Sequence, residues 1–234
     1  MSNLLSVVII SKNEENFISE AIDSASFADE VLVVDSGSSD NTCNLALDRN
    51  AKVIHQKWLG YGPQKNFAIE SAKNNWVFVL DADERITNDL QKEVKEVLLN
   101  PDAKAYYVAR LNYFFGKAIK SCGLYPDYSI RLFDRRYAKF NDAPVHESVE
   151  TKHKKFHLKN HMLHFSFHSI KEFETKQKQY AKLSVKKKNI FKAFTSPIWV
   201  FFKIFFLRLG FLDGWRGFMI ALIYSKYTFW KYFK

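Results

Sequence analysis

The nine residues Trp76-Val-Phe-Val-Leu-Asp-Ala-Asp-Glu84 constrain this chain most, because an apolar run too short for a helix ends in two carboxylates, Asp81 and Asp83. Such a run reads as a buried strand. Strand alternation sets Asp81 and Asp83 on one side of an extended segment, and the exit of a strand in an open α/β sheet is where ligands bind. Hard oxygen donors there suit Mg²⁺ or Mn²⁺, ions that keep some waters and complete their shell with a substrate's phosphates. A diphosphate-bearing substrate follows. The competing reading is that Asp81 merely caps the strand and Asp83 the helix beginning near Thr87.

The same pattern recurs upstream. Leu5-Ser-Val-Val-Ile-Ile10 reads as a strand, followed by polar Ser11-Lys-Asn-Glu14 and a helix over residues 15–26. Val31-Leu-Val-Val34 is a second strand, running into Asp35-Ser-Gly-Ser-Ser-Asp40 and another helical stretch. Lys52-Val-Ile-His55 is a third, residues 64–75 a helix, and 76–80 the fourth strand. Strand, turn and helix in alternation predict βαβ units and a parallel sheet. Thr87 to Leu99 is an amphipathic helix with Leu90, Val94, Val97 and Leu98 at helical spacing and Pro101 beyond its end. Residues 105–110 and 129–133 alternate as strands, and the intervening 112–127 is read as a loop open to donor or acceptor. Ser169-Ile-Lys-Glu172 predicts a capping box opening a helix that runs to about Lys188.

Three segments resemble a known family in order and spacing: Val7-Val-Ile-Ile-Ser-Lys-Asn-Glu14, Val33-Val-Asp-Ser-Gly-Ser-Ser-Asp40 and Leu80-Asp-Ala-Asp-Glu84. They resemble the inverting family 2 glycosyltransferases. Tyr125-Pro-Asp-Tyr-Ser-Ile-Arg-Leu-Phe133, Pro144-Val-His-Glu147 and Leu209-Gly-Phe-Leu-Asp-Gly-Trp215 are similar to the branch that adds glucose to the inner-core heptose of lipopolysaccharide. The resemblance implies a GT-A fold, a Rossmann-like, mostly parallel α/β sheet. It also implies transfer of a hexose, with UDP-glucose the expected donor, to a lipid-anchored saccharide.

On this resemblance Ser11, Asn13, Glu14, Asp35 and Ser36 line the nucleoside, with Asp35 at a strand end suited to accept from the uracil N3–H. Lys65 and Asn66 open a helix near a phosphate or sugar hydroxyl. Gly60-Tyr-Gly62 is too short for a phosphate loop. Arg131 pairs with a phosphate or, equally, with a structural carboxylate. Asp81 and Asp83 belong to the nucleotide and metal side, Asp83 as the direct ligand. An inverting transfer also needs one base to deprotonate the acceptor. The branch motif points to Glu147, with Asp127 in reserve; the alternative for Glu147 is a salt-bridged surface residue. Histidines 157, 161, 164 and 168 invite a zinc reading, but Met162, Phe165 and Phe167 interleave as in a strand. His164 alone resembles a recurrent histidine of the branch. It is a third contact to the metal or a satisfied, partly buried histidine.

A chain of 234 residues buries one good core, hence a catalytic domain over 1–168, a basic helix over 169–189 and an amphipathic segment over 190–234. Cys43 and Cys122 form neither a zinc motif nor a disulfide framework, which fits a reducing compartment. Leu4 to Ile10 lacks a basic flank and is read as a strand rather than a secretory signal. The net charge of +10 is local: from Lys152 to Lys192 there are twelve lysines against two acids, Glu172 and Glu174. A uniformly basic surface would indicate nucleic acid. A basic stretch beside a tail rich in Phe, Trp and Ile indicates an anionic membrane surface, unless the lysines only solvate a helix. Lys192, Lys203, Arg208, Asp213, Arg216, Lys226 and Lys231 interrupt that tail, so no uncharged run reaches the ~18–20 residues of a span. With Arg216, Lys226 and Lys231 on about a 140° arc, the C-terminal helix is expected to lie in the interface, the alternative being a packed core helix. The expected location is cytoplasmic, peripheral on the inner face of the cytoplasmic membrane. A sugar-nucleotide pyrophosphorylase is disfavoured because Ser11-Lys-Asn-Glu14 is no glycine-rich, arginine-containing loop. A non-catalytic membrane-binding protein is the rival from another class.

Overall fold

The computed structural model describes residues 3–141, 143, 147–167, 169–183 and 189–233. The motif residues Pro144 to His146, His168 and the expected end of the basic helix at Lys188 lie outside the described residues. Two compact units are present, residues 1–110 with 128–164, and residues 111–127 with 165–234. Residues 112–127, expected as a loop open to donor or acceptor, cluster with the C-terminal segment.

The first unit begins with the alternation the sequence announces: β1 (Leu5–Ser11), α1 (Ile18–Ala25), β2 (Glu30–Asp35), α2 (Thr42–Leu47), β3 (Lys52–His55), α3 (Tyr61–Ser71) and β4 (Trp76–Asp81). It continues through β5 (Glu84–Ile86), α4 (Asn88–Leu99) and β6 (Ala105–Phe114). After β7 (Lys117–Ala118), which lies in the second unit, come β8 (Asp127–Asp134), β9 (Lys139–Phe140), β10 (Val149–Glu150) and β11 (Lys155–Phe167). The main sheet runs β3-β2-β1-β4-β8-β6-β11-β5, with β1 parallel to both β2 and β4 and β2 parallel to β3. β8 joins β4 antiparallel, and β5 joins β11 antiparallel. Successive strands step from β1 out to β3, and the chain then returns to place β4 on the other side of β1. This reversal of winding direction opens a crevice at the C-terminal ends of β1 and β4, where Ile10 stands opposite Asp81.

Alternation along the strands builds two cores. Val7, Ile9, Phe78 and Leu80 face α1 and α4, whereas Val8, Val77 and Val79 face α3 through Ala68 and Ile69. α4 starts where expected, with Thr87 Oγ1 accepting from Leu90 N–H as an N-cap.

The second unit holds α5 (Ile170–Leu183), α6 (Ile190–Phe202) and α7 (Trp215–Phe233). Glu172 N–H donates to Ser169 Oγ, one half of the expected capping box. Its core joins Phe114, Ile119, Cys122 and Phe173 to Ile204, Ile220, Ala221 and Ile223. The amphipathic segment expected over 190–234 forms an antiparallel helical hairpin. Asn189 N–H donates to Tyr232 O (3.2 Å), Phe194 meets Phe229, Ser225 Oγ donates to Pro197 O (2.8 Å) and Phe201 meets Phe218. The cations of α7 are engaged by the protein: Arg216 donates to Phe115 O, and Lys226 pairs with Glu174 at 3.1 Å.

The return of this hairpin depends on a close approach, because a Cβ on Gly217 would fall on the carbonyl of Gly210. Gly217→Leu should destabilise the second unit by about 1–3 kcal/mol, as overpacking against backbone does. Denaturant melting followed by tryptophan fluorescence reads this, and an unchanged midpoint would show that the two segments part without cost.

Candidate active site

Three strand ends of the parallel half carry polar residues. At the first two, Ser11 aligns with Asp35 in the β1–β2 register. Asp35 is buried, and its two oxygens accept from Gly37 N–H, Ser38 N–H, the Ser38 hydroxyl and the Ser11 hydroxyl. Burial raises its carboxyl, but the bonds from Ser38, Gly37 and Ser11 outweigh this and hold it below the ordinary carboxylate range. Four donors fill a carboxylate's acceptor capacity. Asp35 thus folds the Ser36–Ser38 turn, and a nucleobase would have to displace a serine hydroxyl to reach it. Asn13, in the left-handed region at φ 56°, locks the facing loop: its N–H donates to Ser38 Oγ and its Oδ1 accepts from Ser39 N–H. Glu14 N–H donates to Thr42 Oγ1, and its carbonyl accepts from Phe17 and Ile18. Ser36 Oγ accepts from the buried Gln64 amide (3.0 Å).

At the third strand end Asp81 and Asp83, expected on one side of an extended segment, are parted by a turn. β4 ends at Asp81, Ala82 and Asp83 form a turn, and β5 begins at Glu84, so strand alternation does not relate the two carboxylates. Asp81 Oδ1 lies 3.2 Å from the Lys65 ammonium and Oδ2 lies 3.0 Å from Arg131. Burial alone would raise the Asp81 carboxyl, but Lys65 and then Arg131 drive it well below the ordinary range. Both oxygens of Asp81 are held by cations, so a metal ion would have to displace Lys65 or Arg131 to reach it. Lys65 and Arg131 are likewise held by carboxylates rather than presented at a helix N-terminus or toward a phosphate. The structural alternative for Arg131 is the one realised.

Asp83 faces elsewhere. Pairing of β11 with β5 sets His164 opposite Glu84 and brings its Nε2 within 3.4 Å of Asp83 Oδ2. Arg85 Nη1 donates to Ala82 O (2.8 Å) and Glu84 O (2.7 Å), which fixes the turn that presents Asp83. Among the described residues no group of three His, Cys, Asp or Glu side chains is gathered to hold a metal. A carboxylate and an imidazole 3.4 Å apart nonetheless fit an ion that reaches the protein already bound to a diphosphate and needs few protein donors.

Glu147 is brought to the same cluster: its Oε1 accepts from Lys65 Nζ at 2.9 Å. Two features of α3 arrange this. The Asn66 amide donates to Phe140 O and accepts from Phe140 N–H, gripping the β9–β10 hairpin as a neighbouring strand would. Gly62 lets the hairpin approach, because a Cβ there would collide with Asn141 O. Asp127, the reserve base, is the first residue of β8 and belongs to the second unit.

Sequence reasoning missed Glu84, Arg85, Arg110 and the packing role of Gly62. Glu84 is fully buried, accepts from Arg131 (2.6 Å) and from Asp81 N–H (3.0 Å), and has Arg110 3.7 Å away. Burial pushes its carboxyl up against the pull of Arg131. Its signal was its place directly after Asp83 in a motif that ends on a charge.

A model described as glycosyl transferase family 2 matches residues 6–205. The chain belongs to that family. This family 2 member is 35% identical to an uncharacterized glycosyltransferase of Rickettsia typhi, over 94% of this chain and 82% of that protein. It is 30% identical, over 96% and 89%, to the lipopolysaccharide core biosynthesis glycosyltransferase LpsC of Rhizobium meliloti. Among solved structures, S. aureus TarS 1–349 aligns with a TM-score of 0.51 at 17% identity, covering 77% of this chain and 65% of that one. At that identity the likeness speaks for the fold alone, which is the expected GT-A architecture.

The charge cluster generates a pH prediction. A carboxyl held below its unfolded value contributes stability that is present above the ordinary carboxylate range and is lost as pH falls through the folded value. Lys65→Met removes one of the two cations holding Asp81 down, so the loss should begin at higher pH. Circular dichroism across an acid titration should place the K65M unfolding midpoint above that of the parent; coincident midpoints would show that Lys65 does not keep Asp81 ionised.

Proposed function

We propose that this family 2 glycosyltransferase moves a hexose, with inversion, from a UDP-sugar to a lipid-linked saccharide of the lipopolysaccharide inner core, with UDP-glucose the first donor to test. The observation that carries the reading is the sorting of carboxylates at the crevice. Both oxygens of Asp81 face cations, Lys65 and Arg131, whereas Asp83 faces His164 and Glu147 shares Lys65 through Oε1, so the carboxylates at the crevice stand in different surroundings. The likeness to LpsC supports the acceptor class, and TarS, of the same fold, has been crystallised with UDP.

Asp83 and His164 would hold the divalent ion, which neutralises charge developing on the departing diphosphate. The imidazole nitrogen favours Mn²⁺ over Mg²⁺. Glu147 takes the proton of the acceptor hydroxyl as that oxygen bonds to the anomeric carbon from the face opposite UDP, and the bond from carbon to phosphate oxygen breaks. Lys65, shared between Glu147 and Asp81, positions the base relative to the strand end. Ser11, Asn13, Glu14, Asp35 and Ser36 shape the loops at the nucleoside end. This function carries with it a peripheral location on the inner face of the cytoplasmic membrane and no role for nucleic acid.

Incubation with a panel of nucleotide sugars and with truncated core lipids or polyprenyl-linked saccharides, followed by linkage analysis, tests the assignment; failure of every UDP-sugar to turn over would overturn it. Asp83→Ala should lower turnover by about 10³-fold or more and weaken metal-dependent UDP binding while leaving the fold intact. Glu147→Gln should slow the chemical step by about 10² to 10⁴ with donor affinity nearly constant. If Asp127→Asn shows that second pattern and Glu147→Gln does not, the base is Asp127.

A further inference from the structure

The helical hairpin of the second unit has two unlike sides. α7 is packed, with Ile220, Ala221 and Ile223 in the core, Tyr224 against Phe173 and Lys226 bound to Glu174. The far side of α6 is bare: Phe191 is 77% exposed, Ile198 72% and Trp199 57%. The bare surface continues around the turn, where Phe206, Leu207, Phe211, Leu212 and Trp215 are exposed. We propose that the outer face of α6 and the hairpin turn insert into the boundary between headgroups and acyl chains of an anionic bilayer, with α6 lying along the surface.

Charge selects a bilayer over a second copy of the chain. From Ile190 to Leu207 the bare side carries Lys192 and Lys203 and no acid, Arg208 follows, and the next acid along the chain is Asp213. Asp213 is committed to Ser121, whose hydroxyl and N–H both donate to it. A two-fold contact through this face would oppose like charges, whereas anionic headgroups complement them.

The placement of the lysines selects lying over crossing. α6 runs without a break into a π-helical turn, Lys203–Leu207, and Ile190–Leu207 is a stretch of 18 residues with mean hydropathy 1.6. By length and composition alone this segment suffices to cross. At ~100° per residue, however, Phe191, Phe194, Ile198, Trp199 and Phe202 fall within about 140°, while Lys192 and Lys203 lie within about 20° of each other and about 20–40° beyond the Trp199 edge of that stripe. Two cations on one margin suit a helix in the plane of the surface, both reaching the same headgroup layer. In a crossing helix Lys203 would sit about 20 Å from the first residue, inside a hydrocarbon layer about 30 Å thick.

The inference accords with a lipid-linked acceptor but does not rest on the transfer chemistry, and its test keeps the two apart. Full-length protein is floated with phosphatidylcholine vesicles and with vesicles that also contain phosphatidylglycerol, at low and high salt. It should partition to the anionic vesicles, lose part of that binding in salt, and be released by alkaline carbonate. Phe191→Ser, Ile198→Ser and Trp199→Ser combined should reduce partitioning about 100-fold or more, with the thermal midpoint and turnover of a soluble truncated acceptor unchanged. Trp199→Phe should remove part of the quenching of tryptophan fluorescence by brominated acyl chains. Absence of flotation on either vesicle overturns the proposal. So does resistance to carbonate, which marks a span, or a concentration-dependent dimer that the triple variant abolishes, which marks self-association. Loss of transfer with flotation intact would count against the catalytic reading only.

Discussion

The arrangement at the crevice hangs on one buried ion cluster, Lys65 and Arg131 about the Asp81 carboxylate. Arg131 comes from β8, Asp81 from the end of β4 and Lys65 from α3, and Lys65 goes on to Glu147 beside the β9–β10 hairpin. Four parts of the first unit are therefore tied through two cations. Lys65 and Arg131 are buried and Asp81 partly so, and such a pair adds little net stability over well-packed apolar residues, whereas removing the carboxylate leaves two buried cations short of a partner. Such a cluster enforces one geometry: the elements either meet in register or leave a bare charge in the interior.

That cluster also explains why two carboxylates two residues apart do different work. Glu84 accepts from the Asp81 N–H and from Arg131, and so pins the end of β4. The chain then turns at Ala82 and Asp83, with Arg85 holding the carbonyls of the turn, and Asp83 is carried away from Lys65 toward His164. One carboxylate is held among the cations of the strand end, and the next lies beside an imidazole.

Much of this was legible in the sequence, and the limits have physical causes. Apolar runs of four to six residues have few ways to be buried, so β1 to β4 and their parallel order follow from composition and spacing. The strand exits at Asp35 and Asp81 follow for the same reason. What a carboxylate does there depends on which donors the rest of the chain brings to it, and these come from far away in sequence. Arg131 lies 50 residues from Asp81, and Glu147 lies 82 from Lys65. A residue type announces a capacity for bonding, and the partner decides its use. Asp35 shows this most clearly, since a strand-end carboxylate suited to a nucleobase already accepts from its own turn and from Ser11 of the neighbouring strand. Gly62 was opaque for another reason. Its value lies in what it lacks, and only the position of Asn141 shows why a side chain would not fit.

The C-terminal segment shows the same limit at a larger scale. Helical periodicity separates apolar from charged positions on one helix, but it does not say which face a neighbouring helix covers. On α7 the charged residues found partners in Phe115 and Glu174, and the apolar face went into the core. Pairing α7 with α6 then transferred the unsatisfied apolar surface to α6 and to the turn, where Gly210 and Gly217 meet too closely for side chains. The hairpin thus resolves a conflict of composition. A strongly apolar segment interrupted by cations can bury one helix against the protein and leave the apolar face of the other exposed. With the lipid-linked acceptor and the membrane contact proposed above, both partners are held at one surface and encounter becomes a search in two dimensions.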